Sequence, residues 1–247
     1  MFDATLAETI RIPGHGGDQI KAYFARPLGP GPFGGVVVIH HAPGWDEATK
    51  EITRKFAFHG YNAVCPHLYH RAGPDASPDD AAAAARAAGG IPDEQFLGDT
   101  SGAVAFLTNL LNSNGKVGTI GYCSGGRQSF LAACSMELDA AVDCYGACIV
   151  NPPPPNIPIN LQPCVDLADR LSCPLLGLFG EDDKMPAPAE TRALAKVLES
   201  HHKTFEFHTY PGAGHAFFAT DRPSYRPEAA NDGWNRVFGW FGTYLAA

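Results

Sequence analysis

The run Val117-Gly118-Thr119-Ile120-Gly121-Tyr122-Cys123-Ser124-Gly125-Gly126 joins a short apolar strand to a glycine-bracketed turn, and a helical pattern follows over residues 124–134. From Gly121 to Gly125 it has the form Gly-x-Ser-x-Gly, with cysteine at the central position. In that form a nucleophile sits on a tight strand-to-helix turn at the top of a sheet. Side chains two positions to either side would meet neighbouring backbone, so glycine at 121 and 125 suits such a turn. The turn also sets the sulfur at a helix N-terminus, where free N–H groups and the helix dipole favour a thiolate. Taken alone, the pentapeptide leaves a second reading open: a buried cysteine packed as a small hydrophobe.

Outward from this turn, strands and helices alternate. Gly35-Val36-Val37-Val38-Ile39-His40 carries consecutive apolar residues, the pattern of a strand buried on both faces of a parallel sheet. Further strands are expected at 63–65, 117–120, 141–145, 174–179 and 204–210, with helices at 49–59, 93–111, 124–134, 187–200 and 231–245. Two alternating stretches at 9–12 and 20–24, separated by Gly14, Gly16 and Gly17, predict an antiparallel hairpin at the sheet edge. The class is therefore α/β, a mostly parallel doubly wound sheet with an N-terminal antiparallel edge hairpin. Residues 81–88 are almost pure alanine with Arg86, a strong helix former of little further information. The proline-rich stretch from Pro152 to Pro158 can be neither helix nor central strand. It leaves the carboxyl edge of the sheet, where ligands bind in open α/β folds, and reads either as a solvated surface loop or as a lid or pocket wall. No repeat or linker divides the chain, so one domain over residues 1–247 is expected.

Composition narrows the function. The chain has 247 residues, 45% hydrophobic and 18% charged, enough to bury a large core without staples. Its 18 basic against 26 acidic residues give a net charge of −8 with no basic run, which predicts no nucleic-acid partner. No segment approaches the roughly 18 apolar residues of a membrane span, and Met1-Phe2-Asp3-Ala4 lacks the start of a secretory signal. Seven scattered cysteines suggest reduced thiols and a cytoplasmic location. Cys65, Cys134, Cys144, Cys148, Cys164 and Cys173 read as packing residues. His40, His41, His67 and His70 have no second cluster at ligand spacing, so no metal is expected. The glycines at 29–35 precede no Gly-Lys-Ser/Thr, so no phosphate loop forms and no cofactor is expected.

Two later loops complete a constellation. The strand at 174–179 runs into Gly180-Glu181-Asp182-Asp183, and the strand at 204–210 runs into Pro211-Gly212-Ala213-Gly214-His215. The chain order is nucleophile, acid, base, and parallel strands present all three loops at one edge. A cysteine so placed has a base for its proton, and the base has a carboxylate to orient it.

With these residues the sequence resembles the dienelactone hydrolase (carboxymethylenebutenolidase) family of α/β-hydrolases. The resemblance rests on Gly121 to Gly126, Asn114-Gly115-Lys116-Val117-Gly118, Cys65-Pro66-His67-Leu68-Tyr69, Gly180 to Asp183 and Gly212 to Phe217, and runs from about Gly35 to the last helix. It implies an α/β-hydrolase fold with Cys123 as nucleophile, Asp183 as acid and His215 as base. It also implies an oxyanion hole from the N–H groups of Ser124 and Ala42. The expected reaction is cleavage of an activated ester or lactone, of dienelactone or enol-ester type, through an acyl-thioester. The alternatives are a broader carboxylesterase or thioesterase, or a non-catalytic member that binds a ligand or senses oxidants. A small-molecule substrate and a monomer or small homo-oligomer are expected.

Departures from the family pattern concern substrate binding. The family's glutamate in the early loop aligns with His41, which either stabilises a thiolate as a cation or faces solvent. Of two arginines that hold a substrate carboxylate, one aligns with Arg71 and the other with Ala219, where Arg222 or Arg226 is a candidate substitute. Tyr225 and Trp45 are candidates for the pocket lining, with core or rim packing as the other reading.

Overall fold

In the run Phe33–Ile39 every residue is buried, and side chains alternate between the two faces of a strand. Val37 and Ile39 enter one core, Val36 and Val38 the other. The same parity divides Val64 from Ala63 and Cys65, and Leu175 from Leu176 and Leu178. Consecutive apolar residues thus become a central sheet with a core on each face.

The computed structural model describes residues 1–2, 4–157 and 159–246. In chain order the elements are β1 (Thr5–Pro13), β2 (Gln19–Pro27), β3 (Phe33–Ile39), α1 (Glu47–Phe58), β4 (Asn62–Pro66), α2 (Pro78–Ala87), α3 (Asp93–Thr108), β5 (Ser113–Tyr122), α4 (Ser124–Ser135), β6 (Ala140–Cys144), β7 (Leu175–Gly180), α5 (Pro188–Ser200), β8 (Phe205–Tyr210) and α6 (Pro227–Tyr244). The strand order is β1-β2-β4-β3-β5-β6-β7-β8. Pairings β1–β2 and β2–β4 are antiparallel, and the others are parallel. Helices α1 and α6 cover one face, where Phe56, Val237 and Phe241 are buried. Helices α2 to α5 cover the other, with Phe96, Leu107, Phe130 and Leu198. This is the mostly parallel, doubly wound sheet expected from the strand–helix alternation, and the α/β-hydrolase fold that the resemblance implies. No described helix is long and apolar enough to cross a membrane.

Element ends differ from the sequence reading for local reasons. The hairpin is longer than 9–12 and 20–24, because pairing runs unbroken from Thr5↔Pro27 to Pro13↔Gln19. Helix α1 starts two residues before Thr49, since Asp46 accepts the Thr49 N–H at 2.9 Å as its N-cap. Helix α6 starts at Pro227 rather than Asn231; proline has no N–H to lose at a first helical position. Helix α3 stops at Thr108, with Asn109 as its C-cap, short of the expected residue 111.

The proline-rich stretch is partly both of its readings. Pro152, Pro154 and Pro155 face solvent, while Ile157 is half-buried; Pro158 lies outside the described residues. Ile157, Ile159 and Leu161 turn inward and line a cavity that also exposes Cys123. Two anchors hold this wall. The Asn160 N–H donates to Gly89 O at 2.8 Å, after α2. Arg127, among the largest fully buried side chains, donates from Nη1 and Nη2 to the Asp93 carboxylate at 2.8 and 2.9 Å and from Nη2 to Gln162 O at 2.8 Å. One guanidinium thereby ties α4, α3 and the wall together. Arg127→Met should destabilise the fold by about 3 kcal/mol in urea unfolding, because it leaves Asp93 and the Gln162 carbonyl without their donor. It should also speed proteolysis within residues 152–162; unchanged stability and cleavage would contradict the anchor.

Candidate active site

Strand β5 ends at Tyr122 and α4 begins at Ser124, so the chain reverses its geometry at one residue. Cys123 accordingly has φ 59° and ψ −119°. A Cβ at Gly121 would overlap the Gly125 carbonyl, and one at Gly125 would overlap Ile39 O. Both glycines are there for close backbone approach, as the motif requires. Gly126 adds a third approach, its Cα packing against Asp143 and Gly146. Left-handed backbone at non-glycine residues clusters here: Cys123, Tyr145, Cys148 and Ala216 have φ of 59°, 45°, 64° and 63°. Each costs on the order of 1–3 kcal/mol and persists only where the surroundings over-determine it.

The loops after β7 and β8 bring the other groups to the same edge. The carboxylate of Asp183, its side chain 2% exposed, accepts the His215 Nδ1 proton at 2.9 Å. Met185 N–H donates to the second Asp183 oxygen at 2.9 Å, which fixes the carboxylate plane. The adjacent Asp182 is exposed, so the turn presents Asp183 inward, as the Gly-x-x-Asp spacing suggests. Burial pushes the His215 imidazole down, but Asp183 and Cys123 beside it outweigh this and raise it to about 10. Burial pushes the Cys123 thiol up, yet His215, then the N–H groups of Ser124 and Ala42, bring it below the ordinary thiol value. Both shifts favour a thiolate–imidazolium pair. The other cysteines are free, buried and raised by desolvation. Of seven thiols the one at the elbow is lowered below the ordinary thiol value.

Cys123, Ser124 and Ala42 open on a cavity of about 240 Å³. Its walls are largely apolar, with Leu68, Ile91, Met185 and the isoleucines of the proline-rich stretch, and among the described residues Arg86 is its one Arg, Lys, Asp or Glu side chain. A larger groove of about 510 Å³ between α1 and α6 contains His41, Tyr122, Tyr145 and Ala219 but not Cys123. The Tyr145 ring, part of that groove, lies 5.1 Å from that of His215.

A model of the dienelactone hydrolase family matches residues 20–245. The chain belongs to that family. It is 36% identical over 248 residues to an Escherichia coli protein named "Putative carboxymethylenebutenolidase", covering 98% of this chain and 89% of that one. It is equally identical over 245 residues to a Methylorubrum extorquens protein of the same name, covering 98% and 82%. The crystal structure of a dienelactone hydrolase homologue from Klebsiella pneumoniae superposes with a TM-score of 0.87 at 32% identity, covering 98% of this chain and all of that one.

Several residues expected at the family's substrate site lie elsewhere. Arg71 is locked into a structural network, its guanidinium donating to Asp18 at 2.8 Å, to Asp99 at 2.9 and 3.0 Å and to His15 O at 3.1 Å. All three nitrogens of the fork are held on protein acceptors, and Arg71 does not line the cavity that exposes Cys123. His41 Nε2 meets the Asp46 carboxylate at 2.6 Å and lines the α1–α6 groove, so the thiolate is held by His215 and two N–H groups rather than by His41. Arg226 is spent on the carbonyls of Gly212, Pro223 and Tyr225. Arg222 is tied through its backbone N–H to Ala219 O at 3.1 Å, and its charge acts on Tyr145, beside His215. Tyr225 packs on the α1–α6 core. Trp45 donates to Cys65 O at 3.0 Å and stacks on His67, away from the cavity. Among the described residues no group of three or more His, Cys, Asp or Glu could hold a metal ion.

Arg86 and Tyr69 are what the sequence reading missed. The Tyr69 hydroxyl donates to Ala42 O at 3.0 Å, and Arg86 Nη1 lies 3.4 Å from the same oxygen. A lone charge in an alanine run was the available signal, and it carried no direction.

Asp143 lies directly behind the turn, wholly buried. One oxygen accepts the Gly146 N–H at 2.7 Å and the other has no partner. Burial raises its carboxyl to about 7, against the lowering by Gly146. Between about pH 4 and 7 the folded state therefore holds a proton the unfolded state has released, and stability falls as pH rises through that window. Asp143→Asn removes the titration. Its melting temperature relative to wild type should rise from pH 5 to pH 8, by the equivalent of about 2.5 kcal/mol of stability; a pH-independent difference would contradict the assignment. For the thiol, iodoacetamide alkylation of Cys123 should have a midpoint below the ordinary value of about 8.5. Asp183→Asn should move that midpoint upward. An ordinary midpoint in wild type, or no movement in the variant, would refute the ion pair.

Proposed function

We propose that this chain hydrolyses small activated esters or lactones, of enol-ester or dienelactone type, through Cys123 as nucleophile and an acyl-thioester intermediate. The supporting observation is the convergence at one sheet edge of Cys123, Ser124 and Ala42 on a shared cavity with the Asp183–His215 pair at 2.9 Å, an arrangement that lowers the Cys123 thiol and raises the His215 imidazole. The thiolate adds to the substrate carbonyl, and the N–H groups of Ser124 and Ala42 receive the developing oxyanion. Such a donor typically contributes about 3 kcal/mol to the transition state. As the C–O bond breaks, His215 gives its proton to the departing oxygen. The sulfur is now an uncharged thioester, so the part of His215's elevation that came from the thiolate disappears, while Asp183 still orients the ring. Neutral His215 then takes a proton from water, hydroxide adds to the thioester, and the C–S bond breaks. The acid leaves, and the ion pair is restored.

Two features limit the substrate. Thiolate leaves a tetrahedral intermediate more readily than alkoxide, so productive collapse needs a good leaving oxygen such as an enolate; amides and simple alkyl esters are poor substrates. The cavity of about 240 Å³ lies below the range of about 300–1,000 Å³ that holds drug-sized ligands, which suits a short acyl group. Arg86, exposed in α2 and lining the cavity, takes the part first assigned to Arg71 and pairs with a carboxylate on the substrate.

A panel of dienelactones, p-nitrophenyl acetate and thioesters on wild type, Cys123→Ala and Arg86→Ala tests this. Cys123→Ala should lose turnover by at least about 1,000-fold, and intact-mass spectrometry of the wild type during turnover should show one acyl adduct. Arg86→Ala should raise KM for the carboxylate-bearing lactone about 10- to 100-fold, the worth of a charge-assisted pair, and leave p-nitrophenyl acetate unaffected. Turnover surviving in Cys123→Ala would overturn the nucleophile, and stoichiometric acylation without turnover would favour a ligand-binding or redox role.

A further inference from the structure

Ala42 N–H belongs to the peptide that begins with the His41 carbonyl, and that carbonyl is held twice. His40 Nδ1 meets it at 2.9 Å, and the Gly44 N–H donates to it at 2.9 Å. The C=O and N–H of a trans peptide point in opposite directions. Two donors gripping the His41 oxygen from one side therefore drive the Ala42 N–H out of the other, toward Cys123. The ring is itself fixed. The Leu68 N–H donates to His40 Nε2 at 3.3 Å, which makes Nε2 the acceptor and leaves the proton on Nδ1 to donate. The Tyr69 ring meets the imidazole edge-on at 4.7 Å, and its hydroxyl holds the next carbonyl, Ala42 O, at 3.0 Å. At 1% exposure the imidazole has no solvent to exchange these bonds with.

We propose that His40 is a positioning residue for acyl transfer: by donating from Nδ1 to the His41 carbonyl, it aims and polarises the Ala42 N–H that receives the oxyanion. This rests on the reading of Cys123 as nucleophile. A hydrogen bond accepted at one end of a peptide strengthens the donor at its other end, so the same contact sets direction and strength. Gly44 alone would hold the carbonyl at one point and leave the peptide plane free to tilt.

Two variants separate this from a packing role. His40→Leu fills similar space without either nitrogen; His40→Gln restores one donor and one acceptor. In single-turnover acylation by p-nitrophenyl acetate, His40→Leu should fall by about 10- to 100-fold, part of the loss that follows removal of an oxyanion donor. His40→Gln should recover most of it, and KM should stay near wild type in both. Alkylation of Cys123 by iodoacetamide on its high-pH plateau generates no oxyanion, so it should stay within about twofold of wild type. Parallel loss of alkylation and acylation would overturn the proposal in favour of collapse of the loop, and wild-type acylation in His40→Leu would overturn it outright. Should His40→Leu not fold, the wild-type protein decides: nitrogen NMR should find His40 protonated on Nδ1 and bare on Nε2, and the opposite tautomer would refute the contact. Cys123→Ala keeps the two readings apart. If it is inactive while His40→Leu is fully active, only this inference fails; if it remains active, the nucleophile assignment fails first.

Discussion

Close backbone approach at the end of β5 is the constraint on which this carboxyl edge depends. Gly121, Gly125 and Gly126 let the strand, the first turn of α4 and the segment after β6 come nearer than any side chain would permit. That proximity puts the Cys123 sulfur next to the Ser124 N–H and across from the loop carrying Ala42. Any β-carbon at these glycines would push α4 outward and carry Arg127 with it, along with the wall it anchors. The geometry of the sulfur and the shape of the cavity beside it thus share one cause.

Charge at the site is decided by neighbours more than by burial. All seven cysteines are wholly or partly withdrawn from solvent, and desolvation alone would make every thiol inert. In six, desolvation outweighs whatever nearby cations and hydrogen bonds set against it. Cys123 has an imidazole backed by a buried carboxylate, together with two backbone N–H groups. Histidine shows the converse. His40 is lowered by burial to about 4 even though the His41 carbonyl opposes the shift, so it stays neutral and keeps one donor and one acceptor nitrogen. His215, also largely buried, is raised because its partners are anionic. Two imidazoles near the same sulfur are held in opposite protonation states, one fit to carry a proton and the other to orient a peptide.

What the sequence made legible was whatever periodicity and turn chemistry encode. The valine run became β3, the Gly-x-Cys-x-Gly turn became the elbow, and Asp183 and His215 met because parallel strands end together. Position along a loop did not encode direction. Arg71 and Arg86 lie fifteen residues apart on the same connection after β4, and alignment favoured the first. The first instead faces Asp18 and the wholly buried Asp99, whose charge needs a cation; the second has no acidic partner among the described residues and lines the cavity. His41 was misread for a similar reason. Asp46, five residues on, caps α1 and holds an anion within 2.6 Å of the ring, a contact that appears only once the helix start is known.

The same edge carries several features that work against stability. Asp143 is buried with one oxygen unpartnered, and four non-glycine residues adopt left-handed backbone. A buried polar group without a partner costs about 1–3 kcal/mol, and each strained residue a comparable amount. Among the described residues the other left-handed non-glycine position is His202, after the C-terminus of α5, while buried polar atoms without a partner also occur elsewhere, at Thr100 and Trp240. Two apolar cores on a continuous eight-stranded sheet supply the excess that tolerates them. The concentration of left-handed backbone at this edge is itself informative. A sequence free to relax would replace Asp143 with a smaller apolar residue and Tyr145 with glycine. Retaining both beside Gly126 and His215 keeps the turn rigid where a sulfur, an imidazole and two N–H groups must hold their relative positions to within a fraction of an ångström.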